Sequence, residues 1–249
     1  MMTKNTNILP SNLTKLHNGE EELRQKALGI ITADKRLQLH LTAIESVMDL
    51  ADIFRQLDTN DENLKVTQIL AMRTFNAFAA SLKLALSGYN QNSAMILRDV
   101  LETVFLLSLF AGDRTQIERW RLADKKTRMK EFSPVKVREK LDLRDGLTSK
   151  RRAEIYELFS ELASHPTMKS DYMMRPQKDG DAVIGPFMEA TALEAVISEM
   201  GRLAVQVGEL INAIIPATWA LAIPTRLAFS LQKRDWLATF YPDAIFKSS

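Results

Sequence analysis

A chain of 249 residues, 46% hydrophobic and 26% charged, is long enough for one large domain and has the balance of a globular protein. Its formal net charge is +2 and it has no cysteine, which excludes disulfides, thiolate metal sites and cysteine nucleophiles. Its three histidines, His17, His40 and His165, are far apart with no His-x-x-x-His pair, so the sequence offers no metal site and implies no cofactor.

Only 9 glycines and 8 prolines interrupt a chain rich in Leu, Ala, Glu, Lys and Arg, which favours helices throughout. Residues 1–18 are polar and lack an apolar signal segment, so they read as a flexible arm ahead of a single domain over 19–249. Leu37, Leu41, Ile44, Met48, Ala51 and Phe54 recur at helical spacing, and the polar run at 58–63 ends that helix. A second helix over 62–87 turns Val66, Ile69, Leu70, Phe78 and Leu82 inward and stops at Gly88.

The third helix, about residues 92–111, is apolar at nearly every position, with Asn90 or Asn92 as cap and Gly112 at its end. Asp113 with Gln116 resembles a capping box that opens a basic helix to about Glu131. Ser133-Pro134 starts a short helix to about Leu143, and Thr148 or Ser149 caps another to Ala163. Residues 167–186 form the longest irregular stretch, where Met173-Met174 and Ala182-Val183-Ile184 can pair as a small hairpin around a Lys178-Asp179-Gly180-Asp181 turn. A long helix over 188–215 ends at Pro216, and shorter helices around Trp219 and 226–240 finish the chain.

Long amphipathic helices with short connections around one apolar helix give an all-α fold, a single helical bundle built on residues 92–111. A membrane span needs about 20 apolar residues in a row. Arg98, Asp99 and Glu102 break one candidate, and Glu209, Asn212 and Pro216 break the other. The expectation is therefore a cytoplasmic protein without a membrane partner. The apolar stretch over 203–219 suits core packing and a homo-oligomer face equally.

Three constellations stand out. Arg98 and Glu102 lie four residues apart on one face of the apolar helix. Ions among apolar neighbours are costly unless paired, so they read either as a structural lock or as an interior site. Tyr156 and Ser160 share a face of a later helix that ends at His165-Pro166. His165 reads as a C-terminal cap favoured by the helix dipole, or as a proton-transferring imidazole if the fold brings it to Arg98 and Glu102. Residues 114–152 hold 14 Lys and Arg against 6 Asp and Glu. Within them Arg119, Arg121, Lys125, Lys126, Arg128 and Lys130 lie around Trp120, as on a solvated helix face or in a footprint for nucleic acid or another polyanion.

Leu97-Arg98-Asp99-Val100-Leu101-Glu102, followed by Tyr156-x-x-x-Ser160-x-x-x-x-His165-Pro166, resembles a group of bacterial helical-bundle proteins classed as a domain of unknown function. These are distantly similar to the higher eukaryotes and prokaryotes nucleotide-binding (HEPN) bundles, several of which are ribonucleases. The resemblance implies metal-free binding or cleavage of nucleic acid, with Arg98, Glu102 and His165 in the catalytic roles. Tyr156 and the basic helix are the expected substrate contacts beside them. The nuclease signature places four to six residues between Arg and His on one helix. No His follows Arg98 in that window, and Arg36-x-x-x-His40 is one residue short.

Overall fold

The computed structural model describes residues 10–164, 168–177 and 180–245. Helix α1 (Ser11–Ala33) begins inside the stretch expected as a flexible arm, and it buries Ala27 and Ile31. Asp34 both ends it and caps α2 (Lys35–Arg55), accepting hydrogen bonds from the amides of Arg36 at 2.7 Å and Leu37 at 3.4 Å. Asp61 caps α3 (Glu62–Leu86) in the same way. Ile69, expected inward on α3, faces solvent and is 59% exposed, while Val66, Leu70, Phe78 and Ala85 form the buried stripe.

Gly88 separates α3 from α4 (Asn90–Gly112) with a φ of +87°, and an added Cβ would lie 2.7 Å from the Phe187 carbonyl oxygen. Both the turn and the crossing chain therefore require glycine there. Asn90 is not a cap. It is the first residue of α4, it is buried, and neither of its amide atoms has a hydrogen-bond partner.

The basic helix expected to run to about Glu131 is two helices, α5 (Thr115–Leu122) and α6 (Lys125–Phe132). The Asp124 carboxylate accepts from the Thr127 amide at 2.7 Å and starts a new helix, a local bond that competes with continuing the old one. Helix α7 (Pro134–Arg144) follows Ser133 as expected. Helix α8 (Arg151–Phe159) starts two residues after the expected caps, makes no side-chain cap, and runs into a π-helical turn at Ser160–Ser164.

No strand occurs among the described residues. Met168–Met174 is a 3-10 turn, and the expected hairpin reduces to one backbone bond from the Val183 amide to the Met174 carbonyl at 3.0 Å. Glu189 caps α9 (Ala190–Ile214), and α10 (Ile223–Phe240) with the short α11 (Pro242–Ile245) ends the described residues.

The architecture is an all-α bundle. Helices α2, α3, α4 and α9 form its centre, α10 packs on α2, and α5, α7 and α8 pack on α4. Leu203, Ala204, Val207 and Ile211 of the apolar 203–219 stretch are buried in the core. Ser81 and Ser93 clasp α3 to α4 by donating to each other's carbonyls at 3.1 and 2.9 Å, both fully buried. By length and composition α3 is the one described helix apolar enough to cross a membrane, and in this bundle it packs between α2 and α4.

His40 is buried against α9 and α10. The Trp236 indole donates to its Nδ1 at 3.0 Å, and the Phe240 ring stacks on it at 4.2 Å. A methyl at Gly201 would overlap the imidazole. Burial, aided by the Arg202 and Arg36 charges and opposed by Asp34, lowers the His40 pKa to about 4.

Candidate functional site

The two ions of α4 sit on its outward stripe rather than deep in the core: the side chains of Arg98 and Glu102 are 25% and 31% exposed, with 3.3 Å between them. Helix α8 lies across this stripe and delivers Tyr156. Its hydroxyl donates to Glu102 Oε1 at 2.9 Å and accepts from Arg98 Nη2, so the three side chains close a ring of polar contacts. The Arg98–Glu102 pair and Tyr156, put forward separately from the sequence, are thereby brought together.

Helix α7 adds a fourth, Arg138. Its guanidinium lies over the Tyr156 ring at 4.0 Å from the centroid, and Arg98 lies over the same ring at 4.7 Å. Arg138 is only 7% exposed, its Nη1 is enclosed without a hydrogen-bond partner, and the Nε of Arg98 is likewise unpartnered. Sequence reasoning counted Arg138 only as one charge of the basic region. A readable signal was present: Val137, Arg138 and Leu141 occupy the buried spacing of a short helix, and one of the three is a cation. Next to it, Arg152 bridges Asp142 and Asp145 at 2.5 Å each, and Arg144 pairs with Asp145 at 2.7 Å.

His165 lies outside the described residues. The turns on either side of it, Ser160–Ser164 and Met168–Met174, both pack on α4. Ser160 is a helix residue whose hydroxyl donates to the Tyr156 carbonyl at 2.9 Å.

The basic helices are partly neutralised from within. Arg119 pairs with Glu131 at 2.6 Å, and Arg128 lies over Trp120 at 5.4 Å while donating to the Ala123 carbonyl. Arg121 is half-buried with an unpartnered Nε. Lys125 and Lys126 are exposed and form no ion pair among the described residues. No hydrogen bond, ion pair or ring contact among the described residues joins α5 and α6 to the Arg98 ring. The described residues include no group of three or more His, Asp or Glu placed to hold a metal ion.

Helices α8 and α9 both pack on α4 and leave between them a cavity of about 1050 Å³. Leu97, Leu101 and Phe105 of α4 line its floor, with Ile155, Leu158 and Phe159 on one wall and Val196 and Leu203 on the other. Met173, from the long irregular segment, and Tyr241 also line it. Its polar lining includes Arg151, Arg152, Glu154, Glu199 and Arg202. Leu158 remains 55% exposed and Ile155 39%, because α8 does not close down on α9.

Comparison with protein-family models, curated proteins and solved structures returned no match.

Proposed function

We propose that this bundle is a binding protein for a small amphipathic ligand with an acidic group, taken into the α4/α8/α9 cavity. The cavity carries this reading: its walls are apolar, one of its three arginines is unpaired among the described residues, and its 1050 Å³ lies just above the usual size of small-ligand pockets. Arg151 is exposed and has no ion pair among the described residues, which suits it to meet a carboxylate at the mouth. Titration calorimetry with dodecanoate below its micelle concentration tests the reading. Binding to the wild type, abolished in Ala195→Trp, is the expected result, because Ala195 lines the cavity and is exposed, so an indole there fills the space without disturbing the core. No heat of binding with a graded series of such amphiphiles overturns it.

Exposed, unpaired Lys125 and Lys126 support a second reading, in which the partner is nucleic acid. In that reading Arg98 steadies charge, Glu102 and His165 move protons, and Tyr156 contacts the substrate. RNA incubated in EDTA with wild type and with His165→Ala separates the cases. Loss of RNA with wild type alone supports cleavage, and intact RNA in both lanes removes it. Flat salt dependence of RNA affinity removes binding as well.

A further inference from the structure

Two guanidinium groups, Arg98 and Arg138, and one carboxylate, Glu102, meet at the Tyr156 ring, and the ion pairs of Arg144 and Arg152 lie further along α7. Arg98 pairs with Glu102, Arg144 with Asp145, and Arg152 with Asp142 and Asp145. Arg138 has no carboxylate among the described residues, although it is the most enclosed of the four at 7% exposure. A guanidinium stripped of water and left without a counter-charge is unfavourable, so this position is built for a negative group that the described protein does not supply.

Geometry narrows the choice. Arg138 and Arg98 both sit over Tyr156, which keeps their guanidinium carbons at most about 9 Å apart, and each holds an enclosed N–H without an acceptor. One oxyanion beside the ring can draw on both forks. We propose that Arg138, Arg98 and Tyr156 form a binding site for an oxyanion of single negative charge, a carboxylate or a phosphodiester. One charge balances the junction; a dianion would leave it negative. Planar forks on both sides suit a group with at least two oxygens over a spherical halide. No residue of α8 is fully buried, although Tyr156 and Phe159 pack against the core, so of the three helices at the ring it is the least firmly held. None of the three residues lines the α4/α8/α9 cavity, so the site stands whether or not that cavity binds an amphiphile.

The test is thermal unfolding in sodium acetate or sodium dimethyl phosphate against sodium chloride at equal ionic strength. It compares wild type, Arg138→Met, Arg138→Lys and Ala195→Trp. The expected result is a saturable rise of a few degrees in the wild type and in Ala195→Trp. That rise is absent in Arg138→Met and reduced in Arg138→Lys, which keeps the charge and loses the fork. A response to acetate alone assigns a carboxylate, a response to dimethyl phosphate alone a phosphodiester, and a response to both the shared oxyanion. No saturable rise in the wild type, or the same rise in Arg138→Met, overturns the proposal. Loss of the rise in Ala195→Trp also overturns it, by placing the anion in the cavity. If Arg138→Met does not fold, the lysine variant decides: a rise equal to that of the wild type overturns the site.

Discussion

The guanidinium of Arg138 lies 4.0 Å from the centre of the Tyr156 ring and has no carboxylate partner among the described residues. Two effects of opposite sign meet there. The ring attracts the cation by about 2 kcal/mol when the pair is desolvated, whereas enclosing an unpaired guanidinium costs several kcal/mol. Desolvation wins. Arg138→Met, which keeps the stem and removes the charge, is expected to raise stability by about 1 kcal/mol in anion-free buffer, read as a higher urea midpoint with an unchanged m-value. A drop of similar size would show that the cation holds α7 and α8 in place.

Tyr156→Phe isolates the hydroxyl. The ring stays beneath both arginines, while the bond to Glu102 at 2.9 Å and the bond from Arg98 are lost. Arg98 and Glu102 remain paired at 3.3 Å in a half-exposed position, so the expected loss is about 1 kcal/mol, as for an ordinary hydrogen bond. Chemical denaturation measures it. A loss above 3 kcal/mol, roughly what breaking a buried ion pair costs, would mean that Tyr156 anchors the whole junction.

The relation of Arg98, Glu102 and Tyr156 was half legible in the sequence. Helical spacing put the first two on one face, and Tyr156 stood out on its own helix. The depth of the pair was misread because apolar neighbours surround it in sequence. In space Met95, Arg98, Asp99 and Glu102 form the outward stripe of α4, and α8 covers only part of it. That α8 and α7 converge on this stripe is a contact between distant helices, which no spacing along the chain encodes. Arg138 was passed over for the same reason: what sets it apart is a missing partner, and partners are visible only once the helices are packed. The hairpin failed at the level of local chemistry. Two short segments do meet through the Val183 amide, but one bond does not propagate a ladder, and Met173-Met174 close a 3-10 turn instead.

His40 makes stability depend on pH. Its folded pKa is about 4, below the usual imidazole value near 6.5, so between these the unfolded chain binds a proton that the folded chain rejects. Stability from this residue is complete above about pH 6.5, falls as the pH drops toward 4, and levels off below that. The ceiling is about 3 kcal/mol. Urea midpoints at pH 7.5, 5.5 and 4.5 for wild type and His40→Leu check it. The leucine variant loses the Trp236 bond at every pH, so its offset is constant and only the slope reports the titration. Parallel curves for the two proteins would show that His40 is not the group that responds.

Two helical glycines separate propensity from packing. Gly29 lies within α1 with nothing near the position of an added methyl, so Gly29→Ala is expected to stabilise by about 0.5–1 kcal/mol through helix propensity alone. Gly208 lies within α9, where the same methyl would overlap the Phe229 ring and press on Val47. Phe229 and Val47 are fully buried and cannot swing into solvent. The propensity gain is the same at both positions, but overpacking a closed core costs about 1–3 kcal/mol, and α2, α9 and α10 would have to separate to relieve it. Gly208→Ala is therefore expected to lower stability by about 1–2 kcal/mol while Gly29→Ala raises it. Melting temperatures moving in opposite directions would establish that the α2/α9/α10 contact is as close as described, and a rise in both would show that it is not.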